Sequence, residues 1–172
     1  MKKGINALTV QSSGDARIVD SIKLRQVRPF VAKNQEYVTP KKSVFNRIIG
    51  DSGFELEFAA FLERCPDVKS FAKNYLAVNF RLDYVKADGD LSNFYPDFLV
   101  RLTDGRVVIA ETKGLEDVDV KPKMLRLKQW CNDATASGNG TAYDFVYVDE
   151  KSFAKHALRS FEDVIKAFRE FK

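Results

Sequence analysis

The chain has 172 residues, 45% of them hydrophobic and 30% charged, with a formal net charge of +4. That length suits one domain with a sizeable core, and that balance excludes a disordered chain. No apolar run is long enough to span a membrane, no signal-peptide core follows Met1-Lys2-Lys3, and Cys65 and Cys131 lack metal-ligand spacing. The expectation is a soluble, cytoplasmic protein with reduced thiols, whose mild positive charge agrees with a nucleic-acid partner.

Residues 1–43 read as a basic N-terminal extension or connector, with Arg25, Arg28, Lys33, Lys41 and Lys42, and with Gly14 and Pro29 as punctuation. Within it, Ile18 to Val27 alternates as a strand would. Residues 44–172 form the main domain. A short helix is predicted over Val44 to Ile49. A longer one follows Ser52, because Phe54, Phe58, Phe61, Leu62 and Cys65 recur at helical period and Pro66 ends the run. Ser52 is its expected N-cap, with Glu55 completing a capping box. Val68 to Lys73 reads as a second short helix. Leu76 to Tyr84 alternates as a strand, with Val78, Phe80, Leu82 and Tyr84 on one face and Lys73, Asn74 and Arg81 beside it, placed to meet phosphates.

Asp88-Gly89-Asp90 is a turn. Two apolar runs, Phe98 to Leu102 and Arg106 to Ala110, then flank Thr103-Asp104-Gly105 as a β-hairpin. An acidic connector, 115–119, leads to a helix over Val120 to Ala134 that turns Met124, Leu127 and Cys131 inward and has Pro122 in its first turn. Lys121, Lys123, Arg126 and Lys128 lie on that helix, and Trp130 reads as core. Ser137 to Gly140 is a loop, Tyr143 to Val148 a fourth strand, and Ser160 to Asp163 opens a helix carrying Val164, Ile165, Phe168 and Phe171. The order is helix, three strands, helix, strand: an α/β core. His156, the single histidine, has no evident partner for acid–base work and reads as a surface residue.

Three charged residues stand where central strands carry none: Asp97, Glu111 and Lys113. Glu111 and Lys113 are two apart and project from one face. Asp97 joins them only in one register. A two-residue loop at Asp104-Gly105 would set Asp97 opposite Thr112 and turn it away. A three-residue loop with Gly105 at positive φ pairs Leu102 with Arg106 and sets Asp97 opposite Glu111. The second is favoured, because glycine stands where that loop needs a left-handed residue. Opposed like charges destabilise a sheet, and a divalent cation relieves them; hard oxygen ligands select Mg²⁺ or Mn²⁺.

Pro96-Asp97 with Glu111-Thr112-Lys113 resembles the PD-(D/E)XK nuclease motif. Around it "VFN", "DSGFELEFAAFLE", "FAKN", "YPDFLV", "DGRVVIAETKG" and "WC", in this order, resemble the C-terminal endonuclease domain of the Res subunit of type III restriction enzymes, over residues 44 to about 148. The resemblance implies a restriction-endonuclease-like core in αβββαβ order, with a central mixed sheet of about four strands flanked by helices. It implies an Mg²⁺-dependent endodeoxyribonuclease, a type III site-specific deoxyribonuclease, with Mn²⁺ able to substitute. Asp97, Glu111 and the backbone carbonyl of Thr112 would hold one or two ions, and Lys113 would orient the attacking water. Related nucleases often carry a helix carboxylate that reaches toward the metal. The resemblance points to Glu55, although periodicity does not decide between Glu55 and Glu57. Lys73, Lys123 and Lys128 are candidate contacts to double-stranded DNA.

The partners implied are a DNA methyltransferase (Mod) subunit and a helicase-type ATPase portion. The chain has no G-x-x-x-x-G-K-[ST], so ATP chemistry would belong elsewhere. A nuclease of repair or of a mobile element would share the same site. A non-cleaving DNA-binding module would share the fold, but the intact Asp, Glu and Lys argue against it. Neither Cys-x-x-Cys nor Gly-x-Ser-x-Gly is present, which disfavours zinc and serine-hydrolase chemistry.

Overall fold

A computed structural model describes residues 22–29, 35–114, 118–137, 140–169 and 171. Gly14, Ile18 to Ser21, Lys33, most of the acidic connector, Gly138 and Asn139 lie outside the described residues. The elements in chain order are a 3₁₀ turn at Leu24–Gln26, β1 (Tyr37–Val38), β2 (Ile48–Ile49), α1 (Gly53–Arg64), β3 (Val68–Lys73), β4 (Leu82–Val85), β5 (Leu91–Phe94), β6 (Phe98–Leu102), β7 (Val107–Lys113), α2 (Val120–Ala136), β8 (Tyr143–Asp149), α3 (Glu150–Lys155) and α4 (Phe161–Ala167).

The central sheet has the order β3-β6-β7-β8. Its first three strands run antiparallel, and β8 runs parallel to β7, to which α2 connects it. The fold is therefore α/β with a mixed four-stranded sheet. Both faces are covered, which is why the central strands are apolar on both sides. On one face Phe98, Val100, Val108, Ala110, Val146 and Val148 pack with α1, α3 and α4. On the other, Ile109, Phe145 and Tyr147 pack with α2 and the β4–β5 hairpin. Phe58 anchors the first face, its ring 5.5 Å from Phe98, 5.7 Å from Phe153 and 6.4 Å from Phe161. No helix among the described residues is long and apolar enough to cross a membrane.

The hairpin has the three-residue loop. Gly105 sits at φ +96, its N–H donates to Leu102 O at 3.2 Å, and Leu102 N–H donates to Arg106 O at 2.9 Å. Phe98 pairs with Ala110, so the next pair outward is Asp97 and Glu111. The caps are equally local. Ser52 Oγ accepts from Glu55 N–H at 3.2 Å, but the Glu55 carboxylate accepts from Asp51 N–H, one residue short of a closed capping box. Ser160 and Asp163 do close one at the start of α4.

Four expectations are corrected. Val68 to Lys73 is a strand, pairing with β6 through an irregularity between Val68 and Ser70 that erases the period-two pattern. Val44 to Ile49 is not a helix. Its backbone is used elsewhere: Val44 N–H donates to Phe71 O, Phe71 N–H donates to Lys42 O, and Ser43 forms a parallel bridge to Phe71, while Ile48 and Ile49 pair with β1. Leu76 to Tyr84 is a strand only from Leu82, because Asn79 takes a left-handed conformation at φ +55 after a turn at 76–78; Val78, Phe80, Leu82 and Tyr84 are nonetheless all buried, as expected. Leu24–Gln26, inside the predicted Ile18–Val27 strand, is a 3₁₀ turn. Three elements were not anticipated: β1, β5, which closes a separate hairpin on β4 around Gly89 (φ +89), and α3. The three sheet strands between the first two long helices are thus β3, β6 and β7.

Candidate functional site

The ends of β3, β6 and β7 meet at one end of the sheet, and the charged residues gather there. Asp97 occupies the bend before β6. Its backbone carbonyl accepts from Asn74 N–H at 2.7 Å. The buried Asn74 amide donates to Phe80 O and Pro96 O at 2.7 and 2.8 Å and accepts from Phe80 N–H. One side chain therefore clamps the 74–80 loop to Pro96-Asp97. The Asp97 carboxylate accepts from Thr112 N–H at 2.8 Å and from the Thr112 hydroxyl at 2.6 Å, which fixes it against β7. Burial pushes its pKa up, against those two hydrogen bonds.

Glu111 is only 8% exposed, and its Oε2 has no hydrogen-bond partner among the described residues. Burial pushes its pKa well above the carboxylate range and the charge of Asp97 adds to this; Lys123, Lys113 and the Asp97 amide act the other way. An orphaned buried carboxylate oxygen beside a second carboxylate fits a cation's demand for hard oxygen ligands. Lys113, two residues on and partly buried, shares the Glu111 face.

Glu55 is 9% exposed and forms an ion pair with Lys73; the Lys73 ammonium is also 3.2 Å from Asp51. Burial disfavours the Lys73 charge, but Glu55, with Asp97 and Asp51, outweighs it and holds the pKa above the usual value. Glu57 is exposed. The structure thus separates two residues that periodicity left equal: Glu55 is buried against Lys73 and Glu57 is exposed.

Lys73 is corrected as a phosphate contact, since at 2% exposed its ammonium is enclosed by carboxylates. Asn74 is likewise a buried clamp. Lys123 lies 5.8 Å from the Tyr84 ring centroid and acts on Glu111. Lys128, also partly buried, is about 140° further around α2 at about 100° per residue, so the two lysines do not share a face. Thr112 reaches Asp97 through its amide and hydroxyl. Sequence reasoning missed Lys73 as the partner of Glu55. The signal was available: read as a strand, Val68 to Lys73 puts Lys73 on the face of Phe71, which is turned inward. Cys65 and Cys131 are both buried, and His156 is exposed as expected.

Compared with protein-family models, with curated proteins and with solved structures, the chain matches none.

Proposed function

We propose that the chain is a metal-dependent DNA endonuclease domain with a restriction-endonuclease-like core, the cleavage module of a type III restriction–modification system. The observation that carries this reading is the β6–β7 register. Carried one position beyond the Phe98–Ala110 pair it brings Asp97 to Glu111, whose buried Oε2 has no partner among the described residues. Asp97, Glu111 and the Thr112 carbonyl would hold Mg²⁺, or Mn²⁺ in its place. Bound there, the ion would supply charge neutralisation at the scissile phosphate and a water of lowered pKa.

The chain's own residues do the rest. Lys113, on the Glu111 face, orients that water and stabilises charge on the phosphate oxygens as a compact cation. Thr112 holds the Asp97 carboxylate in one orientation, and Asn74 fixes the backbone beneath it. Lys73 pairs with Glu55 at the edge of the site and offsets the crowded negative charge of Asp51, Glu55 and Asp97. Recognition of a DNA sequence and ATP-driven movement would belong to a methyltransferase subunit and a helicase-type portion.

Plasmid cleavage tests the proposal. Supercoiled DNA should be cut with Mg²⁺ or Mn²⁺ and left intact with EDTA or by Lys113→Ala. Binding without cutting under all metal conditions would instead favour the non-cleaving module.

A further inference from the structure

Lys73 closes β3 paired with Phe98, and the next residue, Asn74, donates its N–H to Asp97 O at 2.7 Å. The backbone thus holds Lys73 diagonally across from Asp97. Its ammonium lies 5.7 Å from the Phe98 ring centroid and 5.8 Å from that of Tyr75. It is paired with Glu55 Oε2 and, at 3.2 Å, with Asp51 Oδ2. The same Glu55 oxygen accepts from Asp51 N–H at 3.1 Å, and the Tyr75 hydroxyl accepts from Ile49 N–H at 2.7 Å. Lys73 is therefore a fixed charge, held by β3, by the segment at 49–51 and by α1. Asp51 is exposed, so this cluster borders solvent on one side.

Stability alone does not account for a lysine here, because a buried ion pair can often be replaced by apolar residues of similar volume without loss. What distinguishes the position is its carboxylates. Burial disfavours the Lys73 charge, and Glu55, Asp97 and Asp51 together outweigh it. Carboxylate oxygens gathered round a compact cation are also what a divalent ion requires. Metal-assisted phosphodiester hydrolysis runs with one ion or with two. An ammonium built into the sheet beside Asp97 supplies positive charge where a second ion would, and it does not dissociate.

We propose that Lys73 is a built-in cation that takes the place of a second metal ion, so that the site binds one divalent ion, at Asp97 and Glu111, and Glu55 is not a ligand to it. Lys73 is then a positioning residue. The inference rests on the nuclease reading for the ion itself, but its readout is metal stoichiometry, not cleavage. Calorimetric titration of the full chain with Mn²⁺, without DNA, should give one ion per chain, lost in Asp97→Ala. Lys73→Gln, its folding checked by urea unfolding, should bind two, the second among Glu55, Asp51 and Asp97. Lys73→Arg, which keeps the charge, should bind one. The double variant Lys73→Gln with Glu55→Gln, which removes both charges of the buried pair, should return to one. Glu55→Gln alone should bind one ion less than about 10-fold more weakly, since loss of a ligand or of a ligand's direct partner costs about 10-fold or more. Two ions in the wild type, one in folded Lys73→Gln, two in the double variant, or no binding in Glu55→Gln overturns the inference. The wild-type and Glu55→Gln titrations decide it even where Lys73→Gln does not fold. One ion without plasmid cleavage overturns the nuclease reading alone, two ions with cleavage overturn this inference alone, and no ion in the wild type overturns both.

Discussion

Two glutamates at the same end of the sheet are buried to nearly the same degree, Glu55 at 9% and Glu111 at 8% exposure, yet their surroundings are opposite. Glu55 has a lysine beside it and an amide hydrogen bond from Asp51. Glu111 has another carboxylate nearby and an oxygen with no partner among the described residues. The same desolvation has thus been compensated from within the protein at one residue and left standing at the other. A buried charge that its own fold satisfies is part of the framework. One that the fold leaves unsatisfied is open to something from outside.

The largest effect that would sharpen this contrast is on activity. Glu111→Ala and Lys113→Ala should each lower plasmid cleavage by ~10²-fold or more, the scale of losing one preorganised stabiliser. Glu57→Ala, on the exposed flank of α1, should leave cleavage at the wild-type rate. Equal losses for Glu57 and Glu111 would break the distinction.

On stability the order reverses. Lys73→Met strands Glu55 as an uncompensated buried charge and should cost about 3–5 kcal/mol in urea unfolding. The double variant Glu55→Leu with Lys73→Met should recover most of that loss. If Lys73→Met is neutral, the pair is not a structural unit.

A smaller change of opposite sign is expected at Glu111. In EDTA, Glu111→Gln should stabilise the protein by about 1–3 kcal/mol at neutral pH, since it removes an unsatisfied buried charge. The sign follows from linkage. The folded pKa is raised above the unfolded one, so the folded state holds the proton more tightly and the metal-free wild type gains stability as pH falls through the folded pKa toward the ordinary value. The advantage of Glu111→Gln should shrink over that interval. An advantage that is independent of pH would mean that Glu111 is not the titrating group.

The least perturbing test uses a buried group outside both clusters. Burial pushes the Cys65 thiol up to about 12, so it should resist thiol reagents at neutral pH until the protein unfolds. Rapid labelling in native buffer would show α1 fraying at its end.

What the sequence made legible followed the range of the interactions. The Asp97–Glu111 register is set by three residues, Thr103-Asp104-Gly105, whose turn chemistry is local. The Ser52 cap and the inward face of α2 are local as well. Val68 to Lys73 is a strand only because Leu102 to Phe98 lie alongside it, some 25 to 34 residues away in the chain. Its irregular register hides the alternation that would have marked it. Read as a helix, the run leaves Lys73 placed to meet phosphates, and its partnership with Glu55 is visible only once β3 is in place. Glu55 and Glu57 are symmetric about the α1 stripe, and only the neighbouring strand separates them.

The short contact of residues 42–44 with β3 has a consequence for self-association. A strand at the margin of a sheet offers its open amides and carbonyls to any other chain that can match them. Here Lys42 and Val44 occupy the Phe71 positions from within the same molecule, and the Lys41 and Lys42 amides are tied to Glu63 on α1. A version of the protein shortened to begin at Phe45 would uncover that margin while leaving the sheet itself whole. It would then be prone to add copies of itself strand to strand, and solubility would fail before folding did.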